Sequence, residues 1–475
     1  MQVNAEQVTA KNSKEYKGCC MVYCSKMVQK SDWVCLPYMA KYSKMTFEAF
    51  KKAGKNHDRS LWVNQEHSED NMELQEYIEK NLPLSIRFQA QDSETLYALP
   101  YPYLIPSVKG MFQEMYYWDT YFANTGLILR GDLQQVKNNI EDLLHMIDRF
   151  GFVLNGSNTY FLYNSQPPVL ALMVREYYDQ TGDKTWLAQA YPRLEKEHQF
   201  WMERRQNKSG LNRYDCEPLP EAWVEHSSKS AIGRLGFRPE GMSDEAMARA
   251  NHAAGESGWD FTPRMGWEVY NYAALDLNSW LYSLEDQLSY FADQLGKPED
   301  ADKWRNACAK RAGLMRQYLQ GEDQVFYDYN ERTGERSDLV SAATFYPLYV
   351  GMATPEEAAA AVGVLHRIEE PYGAACVEKC HKPGNYQWGH PNGWPPTQRI
   401  IVDGLLRYGY KTDALRLAQK YVDLVERCFE QTDHLWEKYN VVKGNAEVVD
   451  EYEMPTMLGW TFGVYAHFCK LLGRD

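Results

Sequence analysis

At 475 residues and a net charge of −14, the chain is longer than one domain of ordinary size. It is also too acidic for a nucleic-acid partner, because phosphate binding needs clustered Lys and Arg and no such stripe appears. Aromatic residues make up 14%, with 34 Tyr among them, as in a large core or in a wet cavity lined by half-polar rings. Met1 to Gly18 contains no apolar signal core, and no apolar run approaches the length of a membrane span. A cytoplasmic protein with no membrane partner is therefore expected. The ten Cys are scattered and expected to be reduced. Cys376, Cys380 and His381 lack a fourth ligand and zinc-finger spacing, so neither metal nor other cofactor is expected.

Residues 1–95 read as an N-terminal extension packed on the main body. Cys19 to Tyr42 is aromatic- and Cys-rich, and Glu48 to Lys80 is charged and helix-prone. From about residue 96 the periodicity is helical. Leu133, Val136, Ile140, Leu143, Leu144 and Ile147 recur at three- and four-residue steps in a helix ending at Gly151. Trp186 to Trp201, Trp304 to Leu319 and Ala414 to Val425 mark three more. Tyr270 to Ala292 is more uniformly apolar, as a buried inner helix would be. The outer-type helices follow similar starts: Gly131-Asp132, Gly182-Asp183, Gly296-Lys297 and Gly409-Tyr410, spaced 51, 114 and 113 residues apart. The larger spacings are about twice 57, so the unit is a helical hairpin and about six fit into 96–475. That predicts an all-α fold, an (α/α)6 barrel, with an open superhelix as the alternative.

Asp323 to Asn330 echoes Asp433 to Asn440, each following an outer helix as a short extended piece. Glu437 stands where the other copy has Tyr327. Three acidic clusters lie among rings: Phe112 to Tyr121, Glu256 to Arg264, and Trp436 to Tyr439. They read as loops rather than helix faces. A carboxyl flanked by rings is desolvated, which raises its pKa and suits a general acid. Gln387 to Gln398 holds two Trp and three Pro, predicting a stiff loop that presents either indoles to a sugar or Trp to the core.

These residues resemble trehalases of glycoside hydrolase family 37 from about residue 96 to 470. Phe112-Gln-Glu-Met-Tyr-Tyr-Trp-Asp-Thr-Tyr-Phe122 approximates one signature of that family and Gln387-Trp-Gly-His-Pro-Asn-Gly-Trp-Pro-Pro396 the other. Asn155-Gly156, Ser165-Gln-Pro-Pro168, Arg238-Pro-Glu240, Glu256 to Asp260, Glu437 to Tyr439, Glu451-Tyr452 and Gly459 to Thr461 fall in the family's order. The resemblance implies an inverting hydrolase with Asp260 as general acid and Glu437 as general base. It implies sugar contacts from Phe112, Tyr116, Trp118, Asp119, Asn155, Gln166, Arg238, Glu240, Gln387, Trp388, Glu451 and Trp460. Trp394 and the prolines are then scaffold.

Some positions depart from the family. Met111 and Asn164 stand where it has Arg, Gly389 where it has Asp, and Val441 to Asp450 replaces a Gly-rich lid. The expected substrate is a small carbohydrate: trehalose or a related small α-glucoside. Two competing readings remain. One is a sugar isomerase or epimerase using His390 and His434; the other is a catalytically silent sugar-binding homologue.

Overall fold

The structure is a computed structural model that describes residues 73–474. The readings of Cys19 to Tyr42 and of most of Glu48 to Lys80 lie outside the described residues. The described chain forms α1 (Leu74–Asn81), α2 (Tyr117–Arg130), α3 (Leu133–Phe150), α4 (Leu170–Thr181) and α5 (Lys184–Arg204). Then come α6 (Glu221–Leu235), α7 (Asp244–Ser257), α8 (Leu275–Gln294), α9 (Pro298–Leu319) and α10 (Tyr346–Tyr349). The last four are α11 (Pro355–Val364), α12 (Pro395–Arg407), α13 (Lys411–Thr432) and α14 (Gly459–Leu471). Its strands are two-residue pieces, such as Asn392–Gly393 paired antiparallel with Tyr439–Asn440.

The helices sort into two layers. α2, α4, α8, α10, α12 and α14 each pack against the next, and α14 packs back against α2. This closes a ring and excludes the open superhelix. The closure is tight enough to require glycine. A Cβ on Gly463 of α14 would lie 1.9 Å from the carbonyl oxygen of Phe122 on α2, a distance no side chain tolerates. The outer layer alternates with the inner one in sequence. α3 buries Val136, Ile140, Leu143, Leu144 and Ile147, as the periodicity predicts, and ends at left-handed Gly151. Gly131, Gly182, Gly296 and Gly409 also hold positive φ, reversing the chain between an inner and an outer helix. The Asp323 and Asp433 echoes each end in a two-residue strand, Tyr329–Asn330 and Tyr439–Asn440.

Two features differ from the sequence reading. The 114-residue spacing between Gly182 and Gly296 does not contain a sixth hairpin of the ring. It contains α6 and α7, which pack chiefly on each other and on residues 269–271. This inserted hairpin caps one end of the barrel. A sixth outer position is instead taken by α1, whose Tyr77 ring meets Phe429 of α13 at 5.3 Å. Glu79 of α1 pairs with Arg130 of α2 at 2.6 Å. In addition, Ile86–Arg87 pairs with Tyr103–Leu104, so a small hairpin straddles residues 95 and 96.

Candidate active site

A cavity of about 670 Å³ opens under the α6–α7 cap. Its floor is aromatic. Trp388 lies 3.8 Å from Trp394 at 8°, and 5.4 Å from Trp259 at 27°, giving a stack of three indoles. Trp118 and Trp460 meet that stack edge-on or tilted. Such ring faces suit the C–H faces of a pyranose. The Gln387 loop is therefore a loop only through Trp394. Pro395 to Gln398 form the first turn of α12, since proline is tolerated where a helix has no N–H to donate inward. Trp394, expected as scaffold, lines the cavity beside Trp388.

Of the residues expected at the site, Phe112, Tyr116, Trp118, Asp119, Asn155, Gln166, Asp260, Trp388, Glu437 and Trp460 line this cavity. Asp119 is on the first turn of α2 and Glu256 on the last turn of α7, so neither belongs to a loop. Gln166 accepts the Trp118 N–H at 3.0 Å and holds the start of α2. Asn155 donates to the carbonyls of Ser165 at 3.1 Å and Gly255 at 2.8 Å, joining the cap to the ring.

Asp260 is held in the left-handed region, φ 43°, and Phe112 likewise, φ 61°. Both are non-glycine residues, and such strain persists only where surroundings impose it. The Asp260 loop is clamped from behind. Arg264, fully buried, donates to Asp328 at 2.7 and 2.9 Å and to Asp276 at 2.8 Å, and its guanidinium lies 4.4 Å from the Trp259 ring. Thr262 donates to the Trp388 carbonyl at 3.1 Å, tying the loop to the indole stack.

In front, Asp260 accepts from Arg234 at 2.9 Å and from the Gln387 amide at 3.1 Å. The other face of Arg234 meets Glu451 at 2.7 Å. Gln387 and Glu451 thus stand one layer behind the carboxyl. Glu437 takes the Tyr452 hydroxyl on one oxygen at 2.8 Å and the Lys438 ammonium on the other at 2.7 Å.

The carboxyls influence one another. Burial pushes Asp119 well above the usual carboxylate range, with the charges of Glu437 and Asp260 adding to it. Burial also raises Glu437, while Lys438 and Tyr452 pull it back. Glu451 is pushed up to about 7 by burial, against the pull of Arg234. The cavity therefore groups carboxyls in unlike surroundings, desolvated Asp119 and Lys438-paired Glu437 beside Asp260 held by a guanidinium, an arrangement suited to acid–base chemistry at a glycosidic bond.

Several expectations need correction. Arg238 and Glu240 lie outside the cavity on the cap's exposed turn. Arg238 pairs with Asp244 and donates to the Met242 carbonyl at 3.0 Å, because the chain turns away at Gly236 and Gly241. Arg234, one turn earlier, is the arginine that reaches the site. Its signal was its register: Trp223, Ser227 and Ala231 mark the buried face of α6, and Arg234 continues that face. His390 and His434 do not form a pair in the cavity. His390 meets Glu370 at 3.0 Å, and His434 lies against the Tyr77 and Trp436 rings. The cavity's histidine is His252, pushed down to about 3 by burial and seated between Ser227 at 3.0 Å and Asn164 at 3.1 Å. At Gly389 a Cβ would lie 3.2 Å from both Pro263 Cδ and the Tyr386 carbonyl, so this loop has no ready room for a side chain.

A closed helical ring whose indole-floored cavity brings together Asp119, Asp260 and Glu437 has the architecture of a glycoside hydrolase. The sequence profile described as trehalase matches residues 11–473, and the chain belongs to the trehalase family. A periplasmic trehalase of Xanthomonas campestris pv. campestris (strain 8004) is 32% identical over 463 residues, covering 90% of this chain and 78% of the relative. A periplasmic trehalase of Escherichia coli O1:K1 / APEC is 29% identical, covering 84% and 74%. Among solved structures, neutral trehalase Nth1 from Saccharomyces cerevisiae matches with a TM-score of 0.66 at 25% identity, over 79% of this chain and 77% of that one. A mannosylglycerate hydrolase from Thermus thermophilus shares the fold, with a TM-score of 0.55 at 18% identity over 78% of this chain and 96% of that one. The cytoplasmic expectation is overturned by these comparisons. These curated relatives are named periplasmic trehalases, not cytoplasmic ones.

Proposed function

We propose that the protein hydrolyses trehalose, or a related small α-glucoside, with inversion at the anomeric carbon. Asp260 donates a proton to the glycosidic oxygen. Glu437 takes one from a water that attacks the opposite face of the ring. The observation that carries this reading is that Asp260 and Glu437 line one cavity with the indole floor, Asp260 held by Arg234 and Gln387 and Glu437 by Lys438 and Tyr452. Asp119, Asn155 and Gln166 bind hydroxyls, and Trp118, Trp388 and Trp460 form the apolar walls. Arg234 and Gln387 orient Asp260, and Glu451 orients Arg234. The catalytic domain is residues 96–475 together with α1, which fills the sixth outer position of the ring.

The names of the relatives make trehalose the first substrate to test. Incubation with a panel of α-glucosides, with free glucose as the readout, should show turnover of trehalose or a close analogue. Tight sugar binding without turnover across the panel would favour the silent homologue.

A further inference from the structure

Glu437 is buried, with its side chain 1% exposed, and two other carboxyls face it: Asp119 from α2 and Asp260 from the loop after α7. Burial and the charge of Asp260 oppose its ionisation, yet a general base has to be ionised in the free enzyme. Arg234 of the cap offers no help, since it is committed to Asp260 and Glu451. Among the described residues, the cation in contact with Glu437 is Lys438.

Lys438 is itself fully buried, which an ammonium survives only when paired. It has two anionic partners, Glu437 at 2.7 Å and Asp450 at 2.9 Å. Its ammonium also lies 4.8 Å from the Trp394 ring and 5.1 Å from the Tyr452 ring. Asp450 is 35% exposed and belongs to the strap of residues 441–452. That strap is pinned rather than free. Asn392 donates to the Val449 carbonyl at 2.7 Å and accepts its N–H at 3.1 Å, and Asn385 donates to the Asp450 carbonyl at 2.7 Å. The same strap carries Tyr452, whose hydroxyl occupies the other oxygen of Glu437.

We infer that Lys438 is a positioning residue for the base and that Asp450 tunes it, by drawing part of the ammonium's hydrogen bonding away from Glu437. The strap, in place of a Gly-rich lid, then sets how firmly Glu437 is held as an anion. This rests on the reading of Glu437 as the base. The two substitutions have opposite signs. Removing Lys438 takes away the cation that favours ionised Glu437, so its pKa rises and activity is lost from the acid side upward. Removing the charge of Asp450 frees the ammonium for Glu437 and deletes a neighbouring anion, so the pKa falls.

The test is kcat/KM against pH for the wild type, K438M, K438R and D450N, with E437A as a control. K438M should move the acid limb to higher pH by roughly 1–3 units, K438R should return part of that, and D450N should move it down by roughly half a unit. A purely structural lysine would lower activity without moving the limb, and that result, or shifts of the same sign in K438M and D450N, overturns the inference. If K438M does not fold, the half-exposed D450N decides alone: a downward shift supports the inference, and no shift or an upward one overturns it. Turnover by E437A would instead reject the reading of Glu437. Loss of turnover in E437A with unmoved limbs would reject only the role of Lys438 and Asp450.

Discussion

The molecule holds two groups of carboxylates, one behind the cavity and one at it, and they are built differently. Behind the cavity, Glu256 accepts two Arg205 bonds at 2.8 and 2.9 Å, with the Ser165 and Asp215 N–H groups on the same oxygens. Asp328 is forked by Arg264 and accepts the Leu275 N–H at 2.9 Å, while Asp276 adds the Tyr214 hydroxyl at 3.1 Å. Each oxygen has a donor, and nothing is left for a ligand. In front, Asp260 shares Arg234 with Glu451 behind it, Glu437 has Lys438, and Asp119 has no side-chain donor among the described residues. What separates the groups is access rather than the number of donors: Asp260 and Glu437 also have a donor on each oxygen, but with Asp119 they line the cavity, as the rear carboxylates do not. An acidic residue beside a Trp is common to both groups and does not distinguish them.

The largest effect that could break this division is on catalysis. Asp260→Ala and Glu437→Ala should each lower kcat by about 10²–10⁴-fold, since each removes a positioned proton carrier. Their melting temperatures should stay near wild type, and steady-state kinetics beside thermal melts checks both. A mild kinetic effect of either would return that residue to the scaffold.

Next comes the scaffold. Arg264→Met leaves Asp276 and Asp328 buried without their cation and should cost about 3–5 kcal/mol, read as a lower denaturant midpoint. An unchanged midpoint would show that the clamp is idle.

A smaller effect concerns Asp142, a scaffold acid that behaves like a cavity one. One of its oxygens accepts the Tyr101 N–H at 3.0 Å, the other is buried without a partner, and burial pushes its pKa up to about 8. Because the folded value lies above the unfolded one, its contribution to stability is complete below about pH 4 and is lost as pH rises through about 8. Asp142→Asn should flatten that part of the stability curve, by at most about 1.4 kcal/mol per pH unit. Identical slopes in the two proteins would show that Asp142 ionises freely in the folded state. The smallest effects are expected at positions outside the cavity: His390→Gln and Arg238→Ala should leave kcat/KM within about twofold of wild type.

Much of the scaffold was legible because its signals are local. The Val136 to Ile147 stripe and the left-handed glycines after α2, α3, α4 and α8 mark helix bounds without any tertiary information. The inserted cap was misread because its length mimics a ring hairpin, and spacing cannot tell whether a hairpin faces the axis or covers it. At the site, the aromatic neighbours and the resemblance singled out Asp260 and Glu437, and both line the cavity. Arg234 was hidden behind the better-looking Arg238-Pro-Glu240, since which arginine enters depends on where the chain turns at Gly236. Lys438 and Tyr452 were visible as letters of a motif, but their grip on the two oxygens of Glu437 exists only once the strap folds over it.

The central claim, that Asp260 and Glu437 act from opposite sides of the scissile bond, is tested most directly by proton NMR of the first glucose released from trehalose. Both anomeric carbons of trehalose are α. Attack by water with inversion at one of them yields one β-glucose and leaves the other ring as α-glucose. The account predicts equal amounts of the two anomers before mutarotation. Early release of α-glucose alone would contradict it.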